Sequence, residues 1–219
     1  MEQAEKVCDK MIRTWIADIR SLYDADCYAE YYESAPEFRK EKADHIKDVK
    51  KKAQSIGAWA LYEKARRLGG ISREAVYNLS HAGDYVLCSV DDTANSDIQV
   101  GCDLEEIKIF HEKLVRRYFC EEEQKYILEK GTEEEKKAAF YRYWVLKESF
   151  MKATRRGMGL GLNTFTIRCT DGAAPQLVKM PEDLVGIYYF KEYSLNIPYK
   201  IAVCATENVF DEEIQKVEL

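Results

Sequence analysis

The chain has 219 residues, a length that suits one large domain or two small ones with a sizeable buried core. Its hydrophobic content of 46% and charged content of 33% are typical of a soluble globular protein. The net charge of −6 argues against a general nucleic-acid-binding protein, because such domains usually carry an excess of basic residues.

Cysteine usage and hydropathy indicate the compartment. The seven cysteines are scattered, odd in number and without a C-x-x-C pair, so we expect reduced thiols rather than disulfides or a zinc site. No hydrophobic run is long enough to span a membrane, and Met1–Lys10 is too charged for a secretory signal peptide. These features predict a cytoplasmic protein that has no membrane partner.

The first half of the chain predicts a strand followed by helices, after the polar residues 1–10. Met11–Ile19 fits a helix by one spacing and a strand by another, and its isoleucine, threonine and tryptophan content favours the strand. Helices are predicted at Asp24–Ser34, from Pro36 onward, and at Ser55–Leu68, where a pair of glycines ends the last one.

Two strands and a polar turn complete the first half. The strands are predicted at Val76–Ser80 and Asp84–Val90. The polar segment Asp91–Asp97 follows, and we interpret it as the boundary between two units, residues 1–97 and 98–219.

The second half begins with a strand that carries two acidic residues. Residues 98–102 alternate in character as a strand does, and Asp103 and Glu105 follow two residues apart. In an extended chain this spacing puts both carboxylates on one face, about 7 Å apart. Carboxylates held together repel each other unless a cation or a proton lies between them.

A long helix supplies a third carboxylate. Trp144, Glu148 and Lys152 lie four residues apart, so they share one face of a helix that Thr132 caps. Three carboxylates from two elements form an all-oxygen site for a hard divalent ion such as Mg²⁺, and lysines supply the positive charge that phosphate chemistry needs. Each motif alone is also common, since D-x-E occurs on many strands and K-E on a helix is usually a solvated ion pair. Their combination favours a functional site.

The remaining elements of the second half are two shorter helices, a basic loop and three strands. The helices are predicted at Phe110–Tyr118 and Cys120–Lys130, and the loop at Arg155–Gly161. The strands are predicted at Thr164–Cys169, Val185–Tyr193 and Tyr199–Ala205. This mixture of elements predicts an α+β fold.

Three motifs together resemble the signature of the 4′-phosphopantetheinyl transferases. They are G-x-D-x-E at Gly101–Glu105, W-x-x-K-E-x-x-x-K at Trp144–Lys152, and N-L-S-H at Asn78–His81. The aspartate of the first motif and the glutamate of the second are 148 − 103 = 45 residues apart. N-L-S-H is similar to the larger, single-chain, surfactin-synthetase-activating type. The resemblance covers most of the chain, from about Arg39 to Ala205.

The resemblance implies a fold and a reaction. The fold would consist of two similar α+β subdomains related by a pseudo-twofold axis. In the reaction, which depends on Mg²⁺, coenzyme A gives its 4′-phosphopantetheine arm to a serine of an apo acyl, peptidyl or polyketide carrier protein. Adenosine 3′,5′-bisphosphate is released. An enzyme of this type would act as a monomer.

The resemblance also implies which residues bind the metal and the coenzyme. Asp103, Glu105 and Glu148 would hold Mg²⁺. The residues expected to hold coenzyme A are Lys47, Lys50, Lys52, Ser80, His81, Asp103, Lys147 and Lys152. The three lysines between positions 47 and 52 belong to a lysine-dense stretch that can equally be a solvated helix surface.

Catalytic roles are implied for three residues. Lys152 would lie on the leaving phosphate and protonate it. Glu123 or Glu148, directly or through water, would accept the proton of the carrier serine. We favour Glu123 because a carboxylate that binds Mg²⁺ is a poor proton acceptor, with Glu122 as the alternative if the alignment shifts by one residue.

The chain departs from the family pattern in one place. The larger members carry a G-K-P segment before N-L-S-H, whereas this chain passes from Gly70 to Val76 within a few residues. In the larger members the lysine of this segment helps to hold coenzyme A. The resemblance therefore does not define the affinity of this chain for coenzyme A.

Three other interpretations compete with the transferase of the larger type. The first is the small holo-acyl-carrier-protein synthase type, whose chains are shorter and form trimers. The second is a non-catalytic relative that binds coenzyme A or a carrier. The third is a helical scaffold with an acidic strand that arose by chance.

Overall fold

The structure is a computed structural model that describes residues 11–93, 95 and 97–219. This part of the chain contains six α-helices and nine strands. The strands form two larger sheets and a two-stranded ribbon. The expectations for residues 1–10 and for part of Asp91–Asp97 lie outside the described residues.

The first half contains three strands and three helices. They are β1 (Ile12–Asp18), α1 (Ala25–Ser34), α2 (Glu37–Asp44), α3 (Val49–Gly69), β2 (Tyr77–Ala82) and β3 (Tyr85–Asp91). β1 confirms the strand interpretation of Met11–Ile19. α3 begins at Val49, earlier than the predicted start at Ser55, because the Asp48 carboxylate accepts a hydrogen bond from the Lys51 N–H at 2.8 Å and caps the helix.

The second half and the C-terminal segment contain three helices and six strands. They are β4 (Val100–Glu106), α4 (Glu112–Tyr118), α5 (Glu121–Leu128), α6 (Glu133–Ala153), β5 (Thr166–Arg168), β6 (Gln176–Lys179), β7 (Tyr189–Tyr193), β8 (Tyr199–Ala205) and β9 (Gln215–Glu218). Thr132 caps α6 as predicted, in a reciprocal capping box with Glu135. β6 and β9 were not expected because both strands are short and mostly exposed, so burial imposes no apolar pattern on them.

The same topology occurs twice in the chain. Each half runs through a strand, a long helix of 21 residues and then two further strands of the same sheet, and in the second half the β5–β6 ribbon comes between. The last strand of each half lies in the middle, in the orders β2-β3-β1 and β7-β8-β4, with every neighbour antiparallel. This repeat confirms the predicted fold of two similar α+β subdomains.

The C-terminal segment returns to the first sheet, on the other side of the predicted division at residue 97. β9 pairs in parallel with β1 as the fourth strand of the first sheet, and Phe210 forms a bridge with Ile12. The last strand of the chain thus belongs to the first sheet, and the division into residues 1–97 and 98–219 stays a prediction.

The two sheets pack face to face, and each long helix covers the outer face of its own sheet. Ile16 and Leu87 of the first sheet share a buried cluster with Leu104 and Val203 of the second. Because side chains alternate along a strand, the other faces of β1 and β3 pack on α3, while α6 packs on β8 and the loop around Phe165.

Gly101 brings the backbone of α6 against that of β4. A Cβ atom at this position would lie 2.1 Å from the carbonyl oxygen of Ser149 and 2.3 Å from the nitrogen of Ala153. Only glycine allows this contact, because it has no side chain. The close approach places the end of α6 beside the part of β4 that carries Asp103.

Two features bear on the compartment that the sequence predicts, the state of the cysteines and the hydropathy of the helices. Free thiols are found at Cys27, Cys88, Cys102, Cys120, Cys169 and Cys204. None of the helices in the described part of the chain has both the length and the apolar character that crossing a bilayer requires.

Candidate active site

Three elements meet at Lys152 in the contact between the two halves. Its Nζ atom donates hydrogen bonds to Oδ1 of Asp103 at 2.7 Å, to Oγ of Ser80 at 2.8 Å and to the carbonyl oxygen of Cys102 at 3.2 Å. The Ser80 hydroxyl donates to the same Oδ1 atom at 2.8 Å. Ser80 and Asp103 are 72 and 49 residues from Lys152 along the chain, so only the tertiary fold joins the three motifs.

The position of Ser80 follows from the way β2 lies on β4. The Asn78 side-chain oxygen accepts a hydrogen bond from the Cys102 N–H at 3.0 Å and thereby ties the two strands together. Because successive side chains alternate along a strand, Asn78 and Ser80 face β4, whereas His81 faces the helices of the first half and is exposed.

Two further carboxylates lie near this contact. Burial, followed by the charge of Asp103, raises the pKa of Glu105 to about 7. Burial and then Asp103 also raise the pKa of Glu148. We refer to Ser80, Asp103, Glu105, Glu148 and Lys152 as the junction site.

Lys152 is the principal cation of the junction site. Burial by itself lowers the pKa of Lys152, but Asp103 and the neighbouring acidic groups raise this pKa by more. The net shift is upward, so the ammonium stays charged. One ammonium group thus faces three carboxyl groups, which leaves the site with excess negative charge when the carboxyl groups are ionised.

The residues of the junction site fit a hard divalent cation by their chemistry. Oδ2 of Asp103 is buried and has no hydrogen-bond partner, although Oδ1 has two. An unpartnered buried carboxylate oxygen beside two crowded carboxyl groups is what Mg²⁺ would satisfy with oxygen ligands. A closed metal cluster is not preformed, since no three His, Cys, Asp or Glu side chains converge at ligand spacing among the described residues.

The predicted lysines occupy the start of α3 and the loop before it. Lys47 is exposed and Lys52 is half-buried, whereas Lys50 forms an ion pair with Asp84 at 2.6 Å. Gln54 donates to the carbonyl oxygen of Gly83 at 2.9 Å, which holds this end of α3 against the β2–β3 turn. The lysine region therefore lies near the end of β2 that carries the junction site.

The charge of Lys42 acts on His81, and the sequence did not indicate this lysine. Packing of the surrounding protein, followed by Lys152 and Lys42, lowers the pKa of His81. Lys42 lies on α2 and belongs to the lysine-dense stretch, but it could not be chosen among these lysines without knowledge of the break between α2 and α3. His81 thus connects the junction site with α2.

Glu123 and Lys147 do not lie where the sequence suggested. Both side chains are fully buried and form an ion pair with each other at 2.8 Å. Lys147 also donates to the carbonyl oxygens of Leu162 and Phe165, both at 2.7 Å. A base for the serine and a ligand for the coenzyme must reach solvent, so these positions fit neither expected role.

Comparison with known proteins shows what this chain is similar to. Residues 99–204 match the family model described as the 4′-phosphopantetheinyl transferase superfamily. Several similar curated proteins are named 4′-phosphopantetheinyl transferases. The chain is 34% identical to 4′-phosphopantetheinyl transferase psf-1 of Bacillus pumilus over 64% of its own length, and 33% identical to 4′-phosphopantetheinyl transferase Sfp of Bacillus subtilis over 66%.

The matches cover only part of each relative. The chain spans 56% of the Bacillus pumilus protein and 61% of the Bacillus subtilis protein. Among solved structures, the holo-[acyl-carrier-protein] synthase of Thermotoga maritima matches 50% of this chain and 62% of its own, with 21% identity and a TM-score of 0.43.

Proposed function

We propose that the protein transfers 4′-phosphopantetheine from coenzyme A to a serine of an apo carrier protein in a Mg²⁺-dependent reaction. The observation that carries the proposal is the contact of Lys152 with both Ser80 and Asp103. It unites N-L-S-H, G-x-D-x-E and W-x-x-K-E-x-x-x-K around one charged group, in a chain whose similar relatives are named 4′-phosphopantetheinyl transferases.

The reaction replaces one phosphorus–oxygen bond with another. The serine oxygen bonds to the phosphorus that carries the pantetheine arm, and the bond from that phosphorus to the bridging oxygen breaks. Adenosine 3′,5′-bisphosphate leaves with the electron pair of the broken bond. The serine proton must pass to a base, and the leaving phosphate gains charge that the protein must stabilise.

The junction site supplies these functions. Lys152, whose ammonium stays charged, donates a hydrogen bond to the leaving phosphate and stabilises the charge that this phosphate gains. Because Glu123 is buried and a carboxylate that binds Mg²⁺ is a poor proton acceptor, the serine proton passes to a water molecule that Glu148 orients. Asp103, Glu105 and Glu148 would hold Mg²⁺, which neutralises charge on the pyrophosphate when it is bound.

Binding of the coenzyme phosphates falls to the groups around the end of β2. His81 presents an exposed imidazole that can donate an N–H, and Ser80 a hydroxyl group. Lys47, Lys50 and Lys52 add positive charge from the start of α3, although Lys50 must first leave its ion pair with Asp84. The proposed partners are apo acyl, peptidyl or polyketide carriers, met by a monomeric enzyme in the cytoplasm.

The decisive experiment is transfer to a panel of apo carriers, followed by intact mass. The protein, coenzyme A and MgCl₂ should add the mass of one phosphopantetheine group to at least one carrier, and EDTA should prevent it. Asp103→Asn keeps an acceptor for Lys152 but removes a charge, so it should abolish Mg²⁺-dependent transfer.

Glu207→Gln is the control, because this carboxylate accepts a hydrogen bond from the Asn95 amide rather than from a residue of the junction site, and it should leave transfer unchanged. Binding of coenzyme A without modification of any carrier would instead support the non-catalytic relative.

A further inference from the structure

The asparagine of the N-L-S-H motif has no part in the reaction described above, yet it lies beside the junction site. Asn78 is half-buried on β2, two residues before Ser80. β2 is the outer strand of the first sheet and β4 is the outer strand of the second. The two strands lie side by side, and among the described residues no backbone ladder joins them. The buried backbone groups on this edge of β4 therefore need side chains as partners.

The backbone of Cys102 shows how this edge of β4 is bonded. Its N–H donates to the side-chain oxygen of Asn78 at 3.0 Å, and its carbonyl oxygen accepts from Nζ of Lys152 at 3.2 Å. Its thiol donates to the carbonyl oxygen of Asn78 at 3.3 Å. Cys102 is fully buried, so water does not replace these partners. One segment of β4 is thus held between a residue of N-L-S-H and a residue of W-x-x-K-E-x-x-x-K.

The carboxylate of Asp103 depends on this arrangement. Asp103 follows Cys102 directly, and Lys152 bonds both the Cys102 carbonyl oxygen and Oδ1 of Asp103. Ser80 bonds the same Oδ1 atom and projects from the same face of β2 as Asn78. Asn78 and Ser80 therefore make two successive contacts between β2 and β4. A shift of β2 by one residue would turn both side chains away from β4, so the first contact fixes the register that the second requires.

An asparagine suits this position because its side-chain oxygen is a neutral acceptor. An aspartate could accept the same N–H, but it would add a further negative charge beside the three carboxyl groups of the junction site. A leucine has a similar volume but no acceptor, so it would leave the Cys102 N–H buried and unpaired. The chemistry of this contact thus distinguishes three side chains of nearly the same size.

We propose that Asn78 is a positioning residue of the transfer reaction: by bonding the Cys102 N–H, it holds Asp103 where Ser80 and Lys152 meet it and where its carboxylate can bind Mg²⁺. The kinetic part of this inference rests on the proposed function. Asn78 acts through β4 and needs no contact with the substrate. The ladder between β2 and β3 runs from Tyr77 to Ala82 and uses backbone groups only, so β2 should keep its place in the first sheet when the Asn78 side chain is changed.

The test combines calorimetric titration of the intact protein with Mg²⁺ alone and steady-state transfer to an apo carrier. Asn78→Leu should weaken Mg²⁺ binding and lower kcat, each by about 10- to 100-fold, because the partner that orients a metal-binding segment is lost. Asn78→Asp keeps the bond to Cys102, so its Mg²⁺ affinity should not fall and its kcat should stay close to that of the parent protein. Its added charge repels the pyrophosphate and should raise the KM for coenzyme A. A residue that only stabilises the fold would not divide kcat and KM between these two variants.

Tyr193→Phe is the matched control. It removes one hydrogen bond, from the Tyr193 hydroxyl to the carbonyl oxygen of Asp211 at 2.7 Å, in the cluster between the same two sheets. It should lower the melting temperature and leave the Mg²⁺ affinity and kcat unchanged. If Asn78→Leu does not fold, Asn78→Ser takes its place, because the shorter side chain does not reach the Cys102 N–H.

Two results would overturn the inference. In the first, the variant without the acceptor binds Mg²⁺ and transfers like the parent protein. In the second, Asn78→Asp loses as much kcat as that variant. Transfer by the parent protein would leave the proposed function intact in both cases. If the parent protein modifies no carrier, the proposed function fails, and weaker Mg²⁺ binding by Asn78→Leu than by Tyr193→Phe would still support the positioning of Asp103.

Discussion

Nζ of Lys147 lies 2.8 Å from Oε1 of Glu123, and neither side chain is exposed to solvent. The Glu123 carboxylate also accepts hydrogen bonds from the backbone N–H groups of Cys120 and Ile167, at 2.9 and 2.8 Å. The pair therefore joins α5, α6 and the start of β5. Burial raises the pKa of Glu123 and lowers that of Lys147, so each group depends on the other to remain charged.

Removal of one partner of this pair should destabilise the protein. Glu123→Gln leaves the Lys147 ammonium buried without a counter-charge, and we expect a loss of about 3–5 kcal/mol in the free energy of unfolding. The measurement is urea denaturation at neutral pH. Glu122→Gln is the control, because its ion pair with Arg168 is half exposed and should contribute less than about 1 kcal/mol.

The double variant Glu123→Leu, Lys147→Met separates a structural role from a catalytic one. Apolar side chains of similar volume remove both buried charges, so they should recover part of the lost stability. The recovery is incomplete because the backbone groups that bonded to the pair lose their partners. Transfer to a carrier should recover with it. A double variant that is stable but inactive would return Glu123 to the role of catalytic base.

The stability of the metal-free protein should decrease as the pH rises through about 7. The folded state raises the pKa of Glu105 from its ordinary 4.5 to about 7, so the folded protein holds this proton more tightly than the unfolded chain. The resulting stabilisation is complete below pH of about 4.5 and is lost as the pH rises through the folded pKa.

The measurement is the melting temperature in EDTA against pH. Glu105→Gln should reduce this pH dependence and leave the contribution of Glu148, whose pKa is also raised. Glu106→Gln should preserve it, because Glu106 pairs with Lys108 at the surface. Mg²⁺ should raise the melting temperature most at and above pH of about 7, where the carboxylates are ionised and ready to bind it. The assignment of Glu105 fails if Glu105→Gln and the parent protein show the same profile.

Gly101→Ala should displace α6 from β4. The added Cβ atom would lie within 2.3 Å of two backbone atoms of α6, so the helix must shift. We expect a loss of about 1–3 kcal/mol or more in stability, and a larger proportional loss of transfer, because the shift moves Glu148 and Lys152. Gly159→Ala is the control, since no atom lies within 4 Å of the added carbon. Equal activity of the two variants would show that the junction site tolerates movement of α6.

His81→Ala should weaken coenzyme A and dephospho-coenzyme A by the same factor, about 10-fold. The charge of Lys152, which we propose faces the leaving phosphate, acts on the His81 imidazole, so we expect His81 to reach the pyrophosphate that both ligands share. Calorimetric titration measures both affinities. His45→Ala provides a control, because its ring bonds the carbonyl oxygen of Glu41 at the end of α2. A loss confined to coenzyme A would instead place the 3′-phosphate on His81.

Local patterns in the sequence determined most of the secondary structure and the nature of the site. The capping residues around Thr132 defined the start of α6, and the alternation along β1 and β4 defined two central strands. The four-residue spacing of Glu148 and Lys152 and the two-residue spacing of Asp103 and Glu105 indicated which groups act together. These features depend only on neighbours in the chain, so they can be recognised without the fold.

The tertiary structure decided which charged residues face the junction site and which are buried. Lys147 and Glu148 are adjacent in sequence, but neighbours on a helix point about 100° apart, and only the packing of Phe165 and α5 makes one of them internal. The pairing of Glu123 with Lys147, the position of β9 beside β1 and the closeness of Lys42 to His81 likewise join residues distant in the chain. Such contacts arise from long-range packing and leave no periodic signal, which is why they could not be predicted from the sequence.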